Sequence, residues 1–259
     1  MKKTILITGS TDGIGKVTAK MLTDMGHQVI VHGRSNKKVD DLLREGLYAD
    51  GFVADLSDFN EVKALGEEVL SKYKYLDVLI NNAGVFVTDD LLTKQGLDVR
   101  FAVNTVAPYM LTKMLLPLMD DKSRVVNLSS AAQAPVNVEA IAKRLPMSDN
   151  EAYAQSKLAL TMWNYQLADI VSPIMIAVNP KSFLGSKMVH TAYKRKGYDL
   201  SIGGKVLCAA SLSDEFVGAN GKYYDNDIEM FSSPHPQVFD SQVRNQLIEA
   251  LNNLISSFV

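Results

Sequence analysis

Tyr153 and Lys157 stand four residues apart in Glu151-Ala152-Tyr153-Ala154-Gln155-Ser156-Lys157. On a helix that spacing brings both side chains to one face. A phenol and an ammonium so placed can do acid–base chemistry. A free tyrosine has a pKa of ~10, too high for easy proton exchange near neutrality, and a nearby ammonium favours the phenolate. Lowering that pKa by ~2–3 units takes ~3–4 kcal/mol of differential interaction. A tyrosine tuned in this way can exchange a proton with a reacting oxygen. Tyr-x-x-x-Lys alone is a weak signal, since many helices carry it by chance. Its position adds weight: it opens a helix after the apolar run Arg124–Leu128, and Ser129-Ser130 close that run.

A second constellation binds rather than reacts. Thr8-Gly9-Ser10-Thr11-Asp12-Gly13-Ile14-Gly15 joins the apolar run Thr4–Ile7 to Lys16–Met25, where Val17, Met21 and Leu22 recur at helical spacing. The first N–H groups of a helix lack intrahelical partners and its dipole favours an anion there. Glycines let the chain turn sharply and let a phosphate approach the backbone. Without a ligand the same residues would be a glycine-rich turn.

The elements that position these residues follow from the hydrophobic pattern. Gln28–Gly33, Gly51–Ala54, Asp77–Ile80, Arg124–Leu128, Ile174–Val178 and Gly221–Tyr224 read as further strands. Between them lie helices from Ser35 to about Glu45, from Ser57 or Asp58 onward through Leu70, from about Gly96 to Met119, from Glu151 to Ile170 and from about Ile202 to Leu212. Gln237–Ser256 reads as a terminal amphipathic helix, 131–150 as a loop with short helical pieces, and 180–197 as partly helical and mobile. Alternating strands and helices predict an α/β fold, a Rossmann-like doubly wound parallel sheet with helices on both faces. No linker or repeat divides the chain, so 1–259 reads as a single domain. In such a sheet the ligand lies outside the carboxyl ends of the strands.

At those ends the residues match a known pattern. The loop reads T-G-x-x-x-G-x-G, Asn81-Asn82-Ala83-Gly84 ends the fourth strand, and Ser130, Tyr153 and Lys157 follow in order. From Thr4 to about Tyr224 the chain resembles the classical short-chain dehydrogenases/reductases, closest to the retinol-dehydrogenase-like and carbonyl-reductase-like branches. The resemblance implies hydride transfer between a nicotinamide cofactor and a carbonyl or alcohol. It implies that Tyr153 is the acid–base group, that Ser130 holds the substrate oxygen, that Lys157 also holds the nicotinamide ribose, and that Asn104 orders a water in a proton relay. It also implies cofactor contacts from Gly9, Ser10, Thr11, Asp12, Gly13, Ile14, Gly15, Asp55, Leu56, Asn82, Ala83, Gly84, Tyr153, Lys157, Pro180 and Ser186.

Arg34 and Ser35 directly follow the second strand, which ends in His32-Gly33 without a carboxylate. A carboxylate there would bond the ribose 2′-hydroxyl of NAD, whereas an arginine accommodates a 2′-phosphate. The expectation is therefore NADP (NADPH), with an NAD-preferring enzyme as the alternative. Two departures from the family pattern stand out. Asn179-Pro180-Lys181-Ser182 carries a lysine where the family reads Pro-Gly, and the stretch from Ser130 to Tyr153 is longer than the commonest family spacing. That stretch is expected to line the substrate entrance or to cover part of a subunit interface, and a homo-oligomer is left open.

The 259 residues are 47% hydrophobic and 22% charged, as in an ordinary globular chain, and the net charge of -2 gives no reason to expect nucleic acid or an anionic membrane as partner. No stretch reaches the ~20 apolar residues of a membrane helix. One cysteine, Cys208, excludes an internal disulfide framework, and the four histidines show no metal-ligand spacing, so no metal site is expected. The expected setting is cytoplasmic. A non-catalytic dinucleotide-binding regulatory protein is the reading from another class; it would need neither Tyr153 nor Lys157.

Overall fold

The computed structural model describes residues 1–259. Its strands are β1 (Thr4–Ile7), β2 (Gln28–Gly33), β3 (Asp50–Val53), β4 (Val78–Asn81), β5 (Arg124–Leu128), β6 (Ile174–Asn179), β7 (Tyr223–Asp225) and β8 (Met230–Ser232). They form one sheet in the order β3-β2-β1-β4-β5-β6-β7-β8. The pairs from β3 to β7 are parallel and only β7–β8 is antiparallel. The chain reverses direction across the sheet between β1 and β4, which is where a ligand crevice opens.

Successive side chains of a strand point to opposite faces, and here both faces are apolar. Ile5 and Ile7 of β1 pack with Val29 and Val31 of β2, beneath α1 (Gly13–Asp24), α2 (Asn36–Arg44) and α8 (Leu200–Leu212). Leu6, Ile30, Leu79 and Val125 face α3 (Phe59–Lys72), α5 (Ala107–Leu115), α6 (Asp149–Leu167) and α9 (Ser241–Ile255). Strands buried on both faces read as continuous apolar runs, which is why they were legible.

Three elements differ from the sequence reading. The long helix expected from Gly96 to Met119 is a composite of α4 (Val99–Phe101), a π-helical turn Ala102–Val106 and α5, ending in a 3-10 turn at Leu116–Leu118. Pro108 has no N–H to give the Asn104 carbonyl four residues back, so a regular α-helical turn is incomplete there. The terminal helix is preceded by a 3-10 turn, Pro236–Phe239, and starts at the Asp240 cap. The strand β8 has no counterpart in the sequence reading, because Met230-Phe231-Ser232 is too short to show alternation. The segment 180–197 is partly helical as expected: α7 (Lys187–Tyr193) starts at the Ser186 cap, and a bridge between Leu184 and Tyr198 closes its base.

Candidate active site

Tyr153 and Lys157 lie in the first turns of α6, and several contacts fix where that helix begins. Ser148 caps it, its Oγ accepting from Glu151 N at 3.2 Å. Arg100 of α4, fully buried, donates to both oxygens of buried Asp98 at 2.8 and 2.6 Å and also to Asp149 of α6. Thr105 Oγ1 donates to Ser156 O at 2.8 Å. Asn104, in the π-helical turn, donates to Ser156 Oγ and to Val85 O, both at 2.9 Å, and accepts from Val85 N at 2.8 Å. Asn104 therefore joins the chain after β4 to α6. Its side chain is fully buried, with both amide N–H groups donated and Oδ1 accepting one bond, and it does not line the cleft.

Lys157 is buried, and its Nζ donates to Leu128 O, at the end of β5, at 2.7 Å. The same Nζ sits 5.8 Å from the centroid of the Tyr153 ring. Gly84 leaves the space for this: a Cβ there would lie 3.2 Å from Asn104 Oδ1 and 3.5 Å from Lys157 Nζ. Burial pushes the Tyr153 phenol up to about 12, against a hydrogen bond from Ser130 that works downward. Burial also pushes the Lys157 ammonium down to about 8. The sequence reading has Lys157 lowering the tyrosine; in the structure desolvation is the largest influence on both groups because it penalises phenolate and ammonium alike. The serine pair divides its work. Ser129 is buried, bonded to Thr161 Oγ1 at 2.7 Å and lines the cleft, while Ser130 Oγ accepts from Ala132 N at 3.1 Å and acts on the Tyr153 phenol without lining the cleft. Above Tyr153, Phe86 stacks at 4.6 Å between centroids, followed by Tyr193 at 5.8 Å and Phe183 at 5.2 Å.

The glycine loop opens into the same cleft, of about 730 Å³. Gly9, Thr11, Asp12, Gly13, Ile14, Arg34, Ser35, Asp55, Leu56, Asn82, Ala83, Gly84, Tyr153, Lys157, Pro180 and Ser186 all line it. Of the residues expected to meet a cofactor, Ser10 and Gly15 do not line it. Ser10 is fully buried, donating to Ile7 O and accepting from His32 N at 2.8 Å. Gly15 packs on Asn82, whose amide would lie 2.3 Å from an added Cβ. Both are scaffold. Asn82 Nδ2 donates to Thr8 O and Gly9 O, at 2.8 and 3.0 Å, so the end of β4 is tied to the loop.

Residues 3–195 match the short chain dehydrogenase family. The chain is a short-chain dehydrogenase/reductase. This dehydrogenase/reductase is 32% identical to human polyprenol dehydrogenase over 181 residues, 64% of this chain and 55% of that protein. It is 32% identical to mouse retinol dehydrogenase 14 over 197 residues, 68% of this chain and 59% of that protein. The match thus spans little more than half the length of these relatives, and their presence places the chain in the retinol-dehydrogenase-like branch. Among solved structures, an uncharacterized protein from Mycobacterium paratuberculosis shares the fold, with TM-score 0.80 and 24% identity over 98% of this chain and 93% of that one. A short chain dehydrogenase from Burkholderia cenocepacia solved with NADP does so with TM-score 0.67 and 24% identity over 86% and 95%.

The residues of this dehydrogenase/reductase fit a dinucleotide. The α1 N-terminus faces the cleft, β2 ends without a carboxylate, and Arg34 is exposed at its lip. The lysine that replaces the usual glycine is held by force. Lys181 has φ 119°, a region where side chains are strained. Asp227 accepts from Ser182 N at 2.9 Å and Asn179 Nδ2 at 2.9 Å, and Asn226 Nδ2 donates to Pro180 O at 2.9 Å, which together over-determine the turn. The Lys181 ammonium lies 5.7 Å from the centroid of the Tyr198 ring, and Lys181 does not line the cleft.

Three residues that matter here escaped the sequence reading. His32 is buried, with Nδ1 accepting from Gly9 N at 3.1 Å and Nε2 facing Ala54 O at 3.1 Å. It pins the glycine loop to β2 and β3 as a neutral ring with its proton on Nε2. Its position at a strand end inside the dinucleotide unit was the available signal. Lys38 and Lys187 also line the cleft, and they come from helices whose faces no local pattern assigns to it.

Proposed function

We propose that residues 1–259 work as a single-domain NADP-dependent oxidoreductase that interconverts a carbonyl and an alcohol. The observation that carries this reading is that one cleft is lined at once by the glycine loop, by Arg34 and by Tyr153 and Lys157. The loop and the α1 N-terminus would hold the pyrophosphate, Arg34 and Ser35 the 2′-phosphate, Asp55 and Leu56 the adenine, and Asn82 to Gly84, Pro180 and Ser186 the rest of the dinucleotide. When bound, the reduced nicotinamide supplies the hydride. Tyr153 gives its phenolic proton to the substrate oxygen while Ser130 holds that oxygen by hydrogen bond. Lys157, lowered to about 8 by burial, is a proton donor matched to near-neutral pH and returns a proton to the phenolate. Asn104 contributes by holding the chain after β4 against α6, and it would order a water in the proton relay through the remaining lone pair of Oδ1.

The apolar side chains Val85, Leu92, Val99, Val103 and Met188 that line the cleft favour a small to medium, mostly apolar substrate. The proposed setting is cytoplasmic. No helix of the chain is long and apolar enough to cross a membrane. The test is NADPH consumption against a panel of aldehydes and ketones, together with binding of NADPH and NADH at fixed salt. Turnover with tighter NADPH binding is expected, and Arg34→Ala should erase the preference while leaving NADH affinity nearly unchanged. Equal or tighter NADH binding would sink the NADP assignment, and binding without turnover of any carbonyl would favour a regulatory protein.

A further inference from the structure

Asp12 caps α1, its Oδ1 accepting from Gly13 N at 2.9 Å. Its Oδ2 receives two cations at once, Lys38 Nζ at 3.2 Å and Lys187 Nζ at 2.9 Å. The lysines come from two different parts of the cleft wall. Lys38 lies on α2, its backbone N donating to Ser35 Oγ at 3.5 Å, close to Arg34. Lys187 is the first residue of α7, next to Ser186, whose Cβ is 3.8 Å from where a Cβ on Gly13 would stand. All three residues line the cleft. Burial works upward on the Asp12 carboxyl, and Lys187, the Gly13 N–H and Lys38 outweigh it and hold it below the ordinary carboxylate range.

A carboxylate here is a puzzle for a phosphate site. It stands at the helix N-terminus that should meet a phosphate, and like charges repel. Its partners resolve the puzzle. Two ammonium groups share one carboxylate oxygen, in partly exposed pairs that are individually weak. A phosphate carries more charge and more acceptor oxygens than a carboxylate, so it competes well for both. We infer that Asp12 is an internal stand-in for the cofactor phosphates. It gathers Lys38 and Lys187 across the mouth of the cleft and yields them on binding, Lys38 to the 2′-phosphate beside Arg34 and Lys187 to the pyrophosphate beside Gly13. The same pairs tie α7 to the glycine loop before any cofactor arrives. This inference rests on the dinucleotide reading above and adds two cofactor-binding residues to it.

The experiment is calorimetric titration of NADPH and NADH into the wild-type chain and three variants. Asp12→Asn keeps the helix cap and removes the charge. It should bind both cofactors more tightly, by ~2–5-fold, the scale of one exposed ion pair. Lys38→Gln should weaken NADPH several-fold and leave NADH nearly unchanged. Lys187→Gln should weaken both by the same factor. A readout without cofactor completes the test: amide exchange of 187–193 should be faster in Asp12→Asn than in wild type. Unchanged or weaker cofactor binding by Asp12→Asn overturns the inference, as does a Lys38→Gln variant that loses NADH as much as NADPH. If the wild-type chain binds neither cofactor, the dinucleotide reading itself falls.

Discussion

Tyr153 and Lys157 divide the chemistry in a way that substitution can separate. Tyr153→Phe keeps the ring that stacks on Phe86 and loses only the hydroxyl. Turnover is expected to fall by ~10²–10⁴-fold, the usual cost of losing a general acid, with NADPH affinity largely intact. Lys157→Ala should damage both turnover and cofactor affinity, since its Nζ also anchors the end of β5. Turnover and cofactor affinity measured for each variant decide this, and Tyr153→Phe retaining more than about a tenth of wild-type rate would remove Tyr153 from the mechanism. His32 gives a pH signature. Burial lowers it to about 4, with the Ala54 carbonyl and Asp55 opposing, against ~6.5 in the unfolded chain. Its contribution to stability is complete above ~6.5 and falls as pH drops toward 4, because in that window the unfolded chain binds the proton and the folded chain does not. The loss is on the order of 3 kcal/mol. Thermal unfolding between pH 7 and 4 should show this slope, and His32→Gln should flatten it.

The elements place these side chains, and two contacts between elements hold the placement. Arg100 joins α4 to the first turn of α6 through Asp98 and Asp149. Asp98→Asn would leave a fully buried guanidinium without its main carboxylate. Breaking such a pair typically costs ~3–5 kcal/mol, and the start of α6 should shift with it. Chemical denaturation should read the destabilisation, and turnover in the folded fraction should fall more than cofactor affinity does. The helix α9 covers α5 and α6, with Leu247, Leu251 and Ile255 buried and Tyr109 Oη donating to Asn252 Oδ1 at 2.9 Å. Leu251→Ala removes a fully buried side chain and should cost ~2–5 kcal/mol. Its kinetic constants should stay near wild type at temperatures where it is folded, because α9 contributes nothing to the cleft.

Across the whole molecule, the cleft runs from Arg34 at the end of β2 to Tyr153 on α6, and the segment holding α7 closes one side of it. That segment hangs from the Leu184–Tyr198 bridge and leans on Phe86 through Tyr193. Such a segment can exclude water from the reaction once the cofactor is bound. Amide exchange over 182–198 should slow with NADPH relative to the free chain, with little change in β1, β4 and β5. Identical exchange in both states would count against a closing segment. Binding also stabilises the whole fold by mass action, ~2.7 kcal/mol at a hundredfold excess over Kd, so the melting temperature should rise more with NADPH than with NADH at equal concentration.

The amino-acid sequence alone determined the parallel part of the sheet, β1 to β7, and the cleft at its carboxyl edge. β1, β2, β4, β5 and β6 are largely apolar runs buried on both faces, a signal that survives without partners. The turns at their carboxyl ends are set by local chemistry, so the glycine loop, Asn82 to Gly84 and the Tyr153–Lys157 pair could be read in place. Tertiary structure decided what depends on neighbours distant in the chain. The packing of Ser10 and Gly15 turned on His32 and Asn82, each many residues away. The direction of the Tyr153 and Lys157 shifts turned on burial, which no spacing records. The gathering of Lys38 and Lys187 on Asp12 turned on where α2 and α7 come to rest. Backbone conformation and hydrophobic period are local properties, whereas desolvation and charge pairing are set by whatever the fold brings alongside.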